Sequence, residues 1–311
     1  MPKKIVIISP ERDCKPWIKA LQKEDPNLLV EVYPEDTHRN KTNFILTWNP
    51  PKDVFKKYPN VKLIASMGAG IRHISKENTI PKNTIVTKIN DPQLKKDLSV
   101  FALTLILNHI RNIPTYFQQQ QDKHWNRFDY KRPAETNVGI MGFGSIGHTV
   151  GELLVDNNFK VSGWSKSKKE HPRINTFAGE QELGSFLKSS HILICLLPLT
   201  DETTGILSKK VFQQLPAGAY LINLGRGPHV VEKDLKEALQ NNRLSGAALD
   251  VFQKEPLPKT HWFWEEKNIQ ITPHTASLSD PSSIRHQIIE NLHRLYQEKE
   301  IKHKVSLEKG Y

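Results

Sequence analysis

The sequence predicts an α/β fold made of two doubly wound domains, each built on a parallel sheet. Short apolar stretches of strand length alternate with helix-length segments along almost the whole chain, as is typical of βαβα architecture. The apolar stretches are continuous runs of Val, Ile and Leu, as expected for strands covered by helices on both faces. With 311 residues, the chain is too long for one ordinary hydrophobic core and sufficient for two.

The predicted strands form two series. The first comprises residues 4–9, 28–33, 44–48, 62–67 and 85–89, and the second comprises residues 137–141, 160–164, 191–196, 220–224, 247–251 and 269–272. Apolar residues at intervals of three and four positions predict helices over residues 145–156, 232–240 and 281–297.

The segment between the two series predicts how the domains are joined. Asp91-Pro92, at the start of residues 92–121, is a favourable helix start. One face of this segment carries the apolar residues Leu98, Phe101, Leu105, Ile106 and Ile110. We expect one long helix that leaves the first domain and enters the second. Because the last predicted helix returns to the first domain, the second domain (residues 95–279) is expected to be inserted into the first (residues 1–94 and 280–311).

Composition and charge exclude several classes of protein. No apolar run approaches the ~18 residues needed to cross a bilayer, and the run at residues 5–8 is too short for a signal peptide. The cysteines, Cys14 and Cys195, lack metal-ligand spacing and favour a reducing, cytoplasmic location. The net charge is +11, but the lysines are scattered and not interleaved with aromatic residues, so we expect no nucleic-acid groove.

A glycine-rich loop predicts a dinucleotide-binding domain of the Rossmann type. The segment Gly142-Phe143-Gly144-Ser145-Ile146-Gly147 follows a predicted strand and opens a predicted helix, which is the required context. Gly142 would permit the tight turn, Gly144 would let the backbone approach a pyrophosphate, and Gly147 would allow close packing of helix on strand. The N-terminal N–H groups of the helix would hold the phosphates, whereas a plain strand-to-helix turn is the alternative.

The next strand indicates which dinucleotide binds. A site that prefers NAD places an acidic residue at the end of this strand for the ribose hydroxyl. Here the strand ends in Ser165-Lys166-Ser167-Lys168-Lys169, and no carboxylate occurs before Glu170. Hydroxyl and ammonium groups suit a ribose phosphate, so we expect NADP(H), with NAD(H) possible and Lys166 as the main phosphate contact. An exposed basic turn is the alternative.

Three polar residues follow later strands, at the sheet edge where open α/β sheets bind ligands. Arg226 follows the strand at residues 220–224, Glu255 follows the one at residues 247–251, and His274 follows the last one. Each alone has an ordinary explanation on a protein surface. Their joint occurrence downstream of a dinucleotide loop predicts a catalytic cluster.

At these motifs the chain resembles the NAD(P)-dependent D-isomer-specific 2-hydroxyacid dehydrogenases, and more narrowly their glyoxylate/hydroxypyruvate reductase branch. The resemblance covers essentially the whole chain and implies a flavodoxin-like substrate domain beside the Rossmann domain. Besides the glycine loop, it rests on residues 47–51, 68–71, 164–169, 223–227, 249–252 and Lys309-Gly310-Tyr311.

The resemblance implies that Arg226, Glu255 and His274 form the catalytic set. The guanidinium can bind the carboxylate of a 2-oxo acid and polarise the adjacent carbonyl. The imidazole can supply the proton that the developing alkoxide needs, and the carboxylate can orient the imidazole ring. The expected reaction is the NADPH-dependent reduction of glyoxylate and hydroxypyruvate to glycolate and D-glycerate.

The resemblance also implies further contacts. The substrate would meet Trp48 and the turn formed by Gly68, Ala69 and Gly70, whose N–H groups could hold its carboxylate. Asp250 would lie at the nicotinamide end of the cofactor, and the remaining cofactor contacts would come from Leu197, Pro198 and Thr203. Arg72 stands where the family more often carries an acidic residue, which leaves the choice among 2-oxo acids open. The family further implies a homodimer.

Two alternatives remain at this point. One is an NAD-dependent dehydrogenase for another D-2-hydroxy acid. The other is a dinucleotide sensor that acts through protein partners, although a sensor does not need a proton donor. We expect neither a metal nor a membrane partner.

Overall fold

The computed structural model describes residues 3–307. The chain divides into two compact units: residues 3–94 with residues 278–307, and residues 95–277. Each unit carries its own parallel sheet and helices, which confirms the predicted fold class. The segment Lys309-Gly310-Tyr311, which contributes to the family resemblance, lies outside the described residues.

The first unit has a flavodoxin-like sheet. Its strand order is β2-β1-β3-β4-β5, and all four pairings are parallel. The strands are β1 (Lys4–Ile8), β2 (Leu29–Val32), β3 (Phe44–Thr47), β4 (Leu63–Ser66) and β5 (Ile85–Thr87), and the helices are α1 (Lys15–Glu24), α2 (Arg72–Ser75) and α9 (Pro281–Tyr296). Helix α9 packs on α1 and buries Ile284, Ile288 and Leu292 in the core of this unit. Each such side chain contributes about 1.5–3 kcal/mol on burial.

The second unit has a Rossmann-type sheet of seven parallel strands in the order β12-β11-β10-β9-β6-β7-β8. Its strands are β6 (Asn137–Met141), β7 (Lys160–Ser165), β8 (Asn175–Ala178), β9 (Ile192–Cys195), β10 (Ala219–Asn223), β11 (Leu244–Leu249) and β12 (Ile269–Ile271). Its helices are α3 (Pro92–Ile110), α4 (Ile113–Gln121), α5 (Ser145–Asp156), α6 (Gly179–Lys188), α7 (Lys209–Phe212) and α8 (Glu232–Gln240). Because the strands are parallel, the loops after β6, β7, β10, β11 and β12 lie at one edge of the sheet.

The structure corrects the expectation of one long helix over residues 92–121. The helix ends at Ile110, and α4 starts afresh at Ile113. Between them Asn112 adopts a left-handed conformation with φ 57°. Asparagine tolerates this conformation better than most residues, and Pro114, which has no N–H group, occupies the first turn of α4.

Strand β8 was not predicted. Its sequence, Asn-Thr-Phe-Ala, is not a continuous apolar run, because β8 lies at the edge of the sheet and none of its residues is fully buried. Among the described helices, none combines the length and the apolar content that a bilayer crossing requires. Both cysteines are buried and unpaired.

Candidate active site

The glycine loop joins β6 to α5. Gly142 has φ +110°, and a Cβ atom there would lie 2.7 Å from the carbonyl carbon of Leu196, so only glycine fits. The N–H groups of Gly142 and Phe143 both donate to the carbonyl of Trp164, which fixes the loop against the end of β7. Gly144 faces open space, since a Cβ atom there would meet nothing within 4 Å.

The start of α5 is free to bind an anion. Helix α5 begins at Ser145, and Gly144, its N-cap residue, offers no capping side chain. The N–H groups of the first turn, including those of Ser145, Ile146 and Gly147, have no partners within the helix. An open approach beside uncapped N–H groups suits a pyrophosphate, so the residues present fit a bound dinucleotide.

The segment after β7 carries its ammonium groups as expected, but Lys166 is paired. The Nζ atom of Lys166 lies 3.0 Å and 3.1 Å from the two carboxylate oxygens of Glu202, and both side chains are largely exposed. Ser165 donates its hydroxyl to the carbonyl of Ser167, which tightens the turn between them. A phosphate that binds Lys166 has to displace Glu202, whose charge opposes it.

The loop after β9 carries three of the predicted cofactor contacts. The hydroxyl of Thr203 donates to the carbonyl of Pro198 at 2.7 Å and accepts from the N–H of Thr200 at 2.8 Å, so the loop holds itself in a compact turn. The side chain of Leu197 is buried in the core of this unit. Leu197 can therefore face a ligand only through its backbone.

Arg226 lies in a loop after β10 that buried polar groups shape. Asn223 donates its amide to the carbonyl of Arg226 and accepts from the N–H of Gly225. His229, which is fully buried, accepts the N–H of Arg226 at Nδ1 and pairs with the carbonyl of Pro198 at Nε2. An imidazole with this pairing accepts at Nδ1 and donates from Nε2. His229 thereby ties the Arg226 loop to the loop after β9.

Glu255 and His274 form a hydrogen-bonded pair. The Nδ1 atom of His274 lies 2.7 Å from Oε2 of Glu255, while Oε1 accepts the N–H of Phe252 at 2.9 Å. Burial opposes ionisation of Glu255, but the hydrogen bonds from His274 and Phe252, with the nearby charge of Arg226, bring the pKa of this carboxyl below its usual value. Glu255 is therefore ionised at neutral pH.

Arg226 belongs to the same charged cluster. Burial lowers the pKa of the Arg226 guanidinium from its usual value, and the carboxylate of Glu255 opposes that change. The guanidinium also donates to the carbonyl of Gly225 at 2.6 Å. The structure thus brings together all three residues that the sequence singled out after β10, β11 and β12.

Asp250 holds the segment that carries His274. Its buried carboxylate accepts the hydroxyl of Thr272 at 2.6 Å and the N–H groups of Thr275 and Ala276 at 2.9 Å and 3.0 Å. His274 has a left-handed φ of 51°, and these bonds on both sides fix that conformation. The contact of Asp250 with nicotinamide stays a prediction; the structure adds its role in placing His274.

In the first unit, the structure brings Trp48 onto the glycine turn after β4. A Cβ atom on Gly68 would lie 2.4 Å from the indole ring of Trp48, so a side chain at this position would displace the ring. The guanidinium of Arg12 lies 4.2 Å above the indole centroid, and the ring of His73 lies 4.4 Å from it. Trp48 is thus fixed between a cation and the turn.

The turn has fewer free donors than the sequence suggested. The N–H of Gly68 donates to the hydroxyl of Ser66, which in turn donates to the carbonyl of Gly70. Within residues 3–307, the N–H groups of Ala69 and Gly70 have no hydrogen-bond acceptor. The Nη1 atom of Arg72 is buried without a hydrogen-bond partner among the described residues. Buried orphan donors are costly, and an anion would satisfy them.

Sequence reasoning missed four residues of the site. Asn223 and His229 flank Arg226, Thr272 lies two positions before His274, and all three bond other groups of the protein. The only sequence feature that could have pointed to one of these residues is a polar residue at the end of a buried strand, as at Asn223. Glu202 was missed because its partner Lys166 lies far away in the sequence.

A family model matches residues 103–276, which cover more than half of the chain. Its description is D-isomer specific 2-hydroxyacid dehydrogenase, NAD binding domain. A dinucleotide-type unit that carries such a polar cluster at its strand ends defines a nucleotide-dependent oxidoreductase. The chain belongs to the D-isomer-specific 2-hydroxyacid dehydrogenase family.

Similar proteins support this assignment along nearly the whole chain. Glyoxylate/hydroxypyruvate reductase A of Serratia proteamaculans is 33% identical over 293 residues, which are 93% of each chain. A D-isomer specific 2-hydroxyacid dehydrogenase from Xanthobacter autotrophicus Py2, in complex with NADPH and MES, superposes with TM-score 0.95 at 32% identity and covers 100% of both chains. An NADPH-dependent glyoxylate/hydroxypyruvate reductase from Sinorhizobium meliloti, in complex with NADP and sulfate, has TM-score 0.93 and 29% identity and covers 99% of this chain and 100% of its own.

Proposed function

We propose that this protein reduces small 2-oxo acids to 2-hydroxy acids with NADPH, with glyoxylate and hydroxypyruvate as its substrates. The observation that carries the proposal is the 2.7 Å hydrogen bond between His274 and Glu255 beside Arg226. The pair lies at the strand ends of the second unit (residues 95–277), which we call the nucleotide unit. Relatives that match nearly the whole chain are named for these two substrates. The bound NADPH and NADP of similar structures support the choice of cofactor.

His274 is the proton donor in this proposal. Its Nδ1 atom is engaged by Glu255, so Nε2 is the nitrogen left to face the substrate oxygen. The ionised carboxylate of Glu255 fixes the tautomer and stabilises the charged ring, as in other base–carboxylate pairs. Asp250 holds the segment on both sides of His274 and so limits its motion.

Arg226 binds the carboxylate of the substrate and polarises its carbonyl group. The hydrogen bonds of Asn223 and His229 to its backbone fix the loop that presents the guanidinium. In the first unit, the N–H groups of Ala69 and Gly70 and the orphan Nη1 of Arg72 supply further donors for an anionic group. Arg12 and the glycine turn hold Trp48 in place, and its role in limiting the size of the substrate stays a prediction.

The dinucleotide would be held by the glycine loop, by Ser165, Lys166 and Ser167, and by the loop that contains Leu197, Pro198 and Thr203. When bound, the dihydronicotinamide supplies the hydride. The open space at Gly144 would admit the pyrophosphate, and α5 would offer its N–H groups. Lys166 would exchange Glu202 for the ribose phosphate, at little cost because exposed ion pairs contribute about 0–1 kcal/mol.

We further propose a homodimer formed through the segment after α3. This segment exposes large aromatic side chains: Trp125 is 99% exposed, Phe117 63% and Tyr130 54%. Large apolar side chains exposed within one short segment are typical of an interaction surface. Light scattering on a size-exclusion column should give twice the mass of the chain, and Trp125→Ser should shift the protein toward the monomer.

A single assay tests the enzymatic proposal. NADPH absorbance should fall on addition of glyoxylate or hydroxypyruvate, with NADH turned over less efficiently by at least about tenfold in kcat/KM. Binding of NADPH without turnover of any short 2-oxo acid would favour the sensor alternative. A preference for NADH would leave the enzyme class intact and contradict the role of Lys166.

A further inference from the structure

A second group of polar side chains is formed by α5 and the loop after β7 in the nucleotide unit. His148 and Glu152 are one turn apart on α5, and His171 follows β7 in the loop that leads to β8. One nitrogen or oxygen atom from each of the three residues lies within 4.8 Å of the others, and residues 3–307 hold no other such group of three. These three residues have no role in the proposed reduction of 2-oxo acids.

Glu152 is the centre of this group. Its Oε2 atom lies 3.7 Å from Nδ1 of His148, and its Oε1 atom lies 3.7 Å from Nε2 of His171. These separations are too long for good hydrogen bonds. Atoms that bind one tetrahedral zinc ion at about 2.0–2.2 Å lie about 3.4 Å apart, so small side-chain rotations would bring all three into range.

Two features organise the group before any ligand arrives. The side chain of His171 is only 3% exposed, and its ring meets that of His148 edge to face at 4.7 Å. Phe143 of the glycine loop lies against both rings, at 6.0 Å and 6.1 Å. The side chains of His148 and Glu152 are about half exposed, so an ion can enter and keep water ligands.

We infer that His148, Glu152 and His171 form a binding site for a divalent transition metal ion, with zinc as the best match. Two imidazoles and one carboxylate, with a position open to water, are a common zinc set, whereas magnesium and calcium prefer oxygen ligands alone. A bound ion would join α5, which starts at the glycine loop, to the segment that follows Lys166.

The surroundings set the strength of this site. Arg173 lies 3.9 Å from Glu152 but pairs more closely, at 2.6 Å, with Asp156, which offsets its charge. The Nδ1 atom of His171 accepts the N–H of Arg173 at 3.2 Å. Coordination through Nε2 places the ring proton on Nδ1 and costs this hydrogen bond, so we expect a reversible site and not a permanently occupied one.

Calorimetric titration with zinc chloride tests the site in tag-free protein that has been treated with a chelator and dialysed. Wild type should bind one equivalent, and H148Q, E152Q and H171Q should each bind roughly tenfold or more weakly. H286Q is the matched control, because His286 also faces a glutamate, Glu24 at 2.6 Å, but belongs to no group of three. It should bind as wild type does.

Thermal unfolding gives a second readout. Because an ion that binds only the folded state stabilises it, zinc should raise the Tm of wild type and H286Q but not that of E152Q. H148Q, which alters a half-exposed side chain, keeps the test valid if H171Q fails to fold. Absence of zinc binding in wild type, or equal binding in wild type, H148Q and E152Q, would overturn the inference.

Discussion

The carboxylate of Glu255 binds His274 through one oxygen and the N–H of Phe252 through the other. This arrangement fixes the carboxylate from the backbone of its own loop and presents it to the imidazole. The two side chains therefore act as one unit, and their substitutions should not be independent.

A double-mutant cycle tests this coupling. His274→Ala should lower kcat about 10²–10⁴-fold, because general acid catalysis contributes that much. Glu255→Gln should lower kcat less, since it keeps the shape but removes the charge that stabilises the protonated ring. The double variant should be no slower than His274→Ala alone. Additive losses in steady-state kinetics would show that Glu255 acts without His274.

Glu202 competes with phosphate for Lys166. Glu202→Gln should lower KM for NADPH by roughly 1.4- to fivefold, the range expected for an exposed charge pair of 0.2–1 kcal/mol, and leave KM for NADH unchanged. Glu237→Gln is the matched control, because it removes an exposed carboxylate that pairs with Lys209. An equal change for both dinucleotides would rule out a contact with the ribose phosphate.

Substitutions at Gly144 and Gly147 should distinguish an effect on dinucleotide binding from an effect on stability. At Gly144 an added methyl group meets nothing within 4 Å, so Gly144→Ala should keep the Tm of wild type and raise KM for NADPH. At Gly147 the added methyl would lie 2.4 Å from the carbonyl oxygen of Gly142, so Gly147→Ala should lower the Tm. If Gly144→Ala bound NADPH as wild type does, the pyrophosphate would not lie at this loop.

His229 positions Arg226 without facing the substrate. His229→Ala leaves the N–H of Arg226 without its acceptor. We expect the loss in kcat/KM, expressed as a free energy, to exceed the loss in the free energy of unfolding. His229→Asn should recover part of the activity, because its amide oxygen can replace Nδ1 as the acceptor. Equal activity in the alanine and asparagine variants would mean that the hydrogen bond is unimportant.

His109 makes the stability of the nucleotide unit depend on pH. Burial lowers the pKa of His109 from 6.5 to about 4, with its ring stacked 3.8 Å from that of Tyr220. Between these pH values the unfolded chain binds a proton that the folded chain excludes, so stability falls as pH falls. The expected loss between about pH 7 and about pH 5 is about 2 kcal/mol.

Urea unfolding at both pH values measures this loss. His109→Phe keeps an aromatic ring for stacking but cannot titrate, so its free energy of unfolding should fall by about 2 kcal/mol less over the same interval. Parallel curves for the two proteins would show that His109 is solvated in the folded state.

The sequence was most informative where strands are buried on both faces. Strands β6 and β7 begin where the apolar runs predicted, and the positions of Arg226, Glu255 and His274 follow from the strand ends. The edge strand β8 lacked that signal. The break before α4 depends on the conformation of the single residue Asn112, which composition does not reveal.

Contacts between residues that are distant in the chain also could not be predicted from the sequence. Glu202 and Lys166 meet only because the loops after β7 and β9 lie at the same sheet edge. Likewise, the carboxylate of Asp250 was expected to face a ligand, but the fold supplies it with the N–H groups of Thr275 and Ala276.

The nucleotide unit interrupts the first unit in the chain, and this has a consequence for biosynthesis. Residues 95–277 leave the ribosome as one stretch and can close their core as soon as they have emerged. Residues 3–94 emerge earlier but lack Ile284, Ile288 and Leu292, which fill their core from α9. The unit whose translation starts first is therefore completed last, and until then its apolar surface needs protection from aggregation.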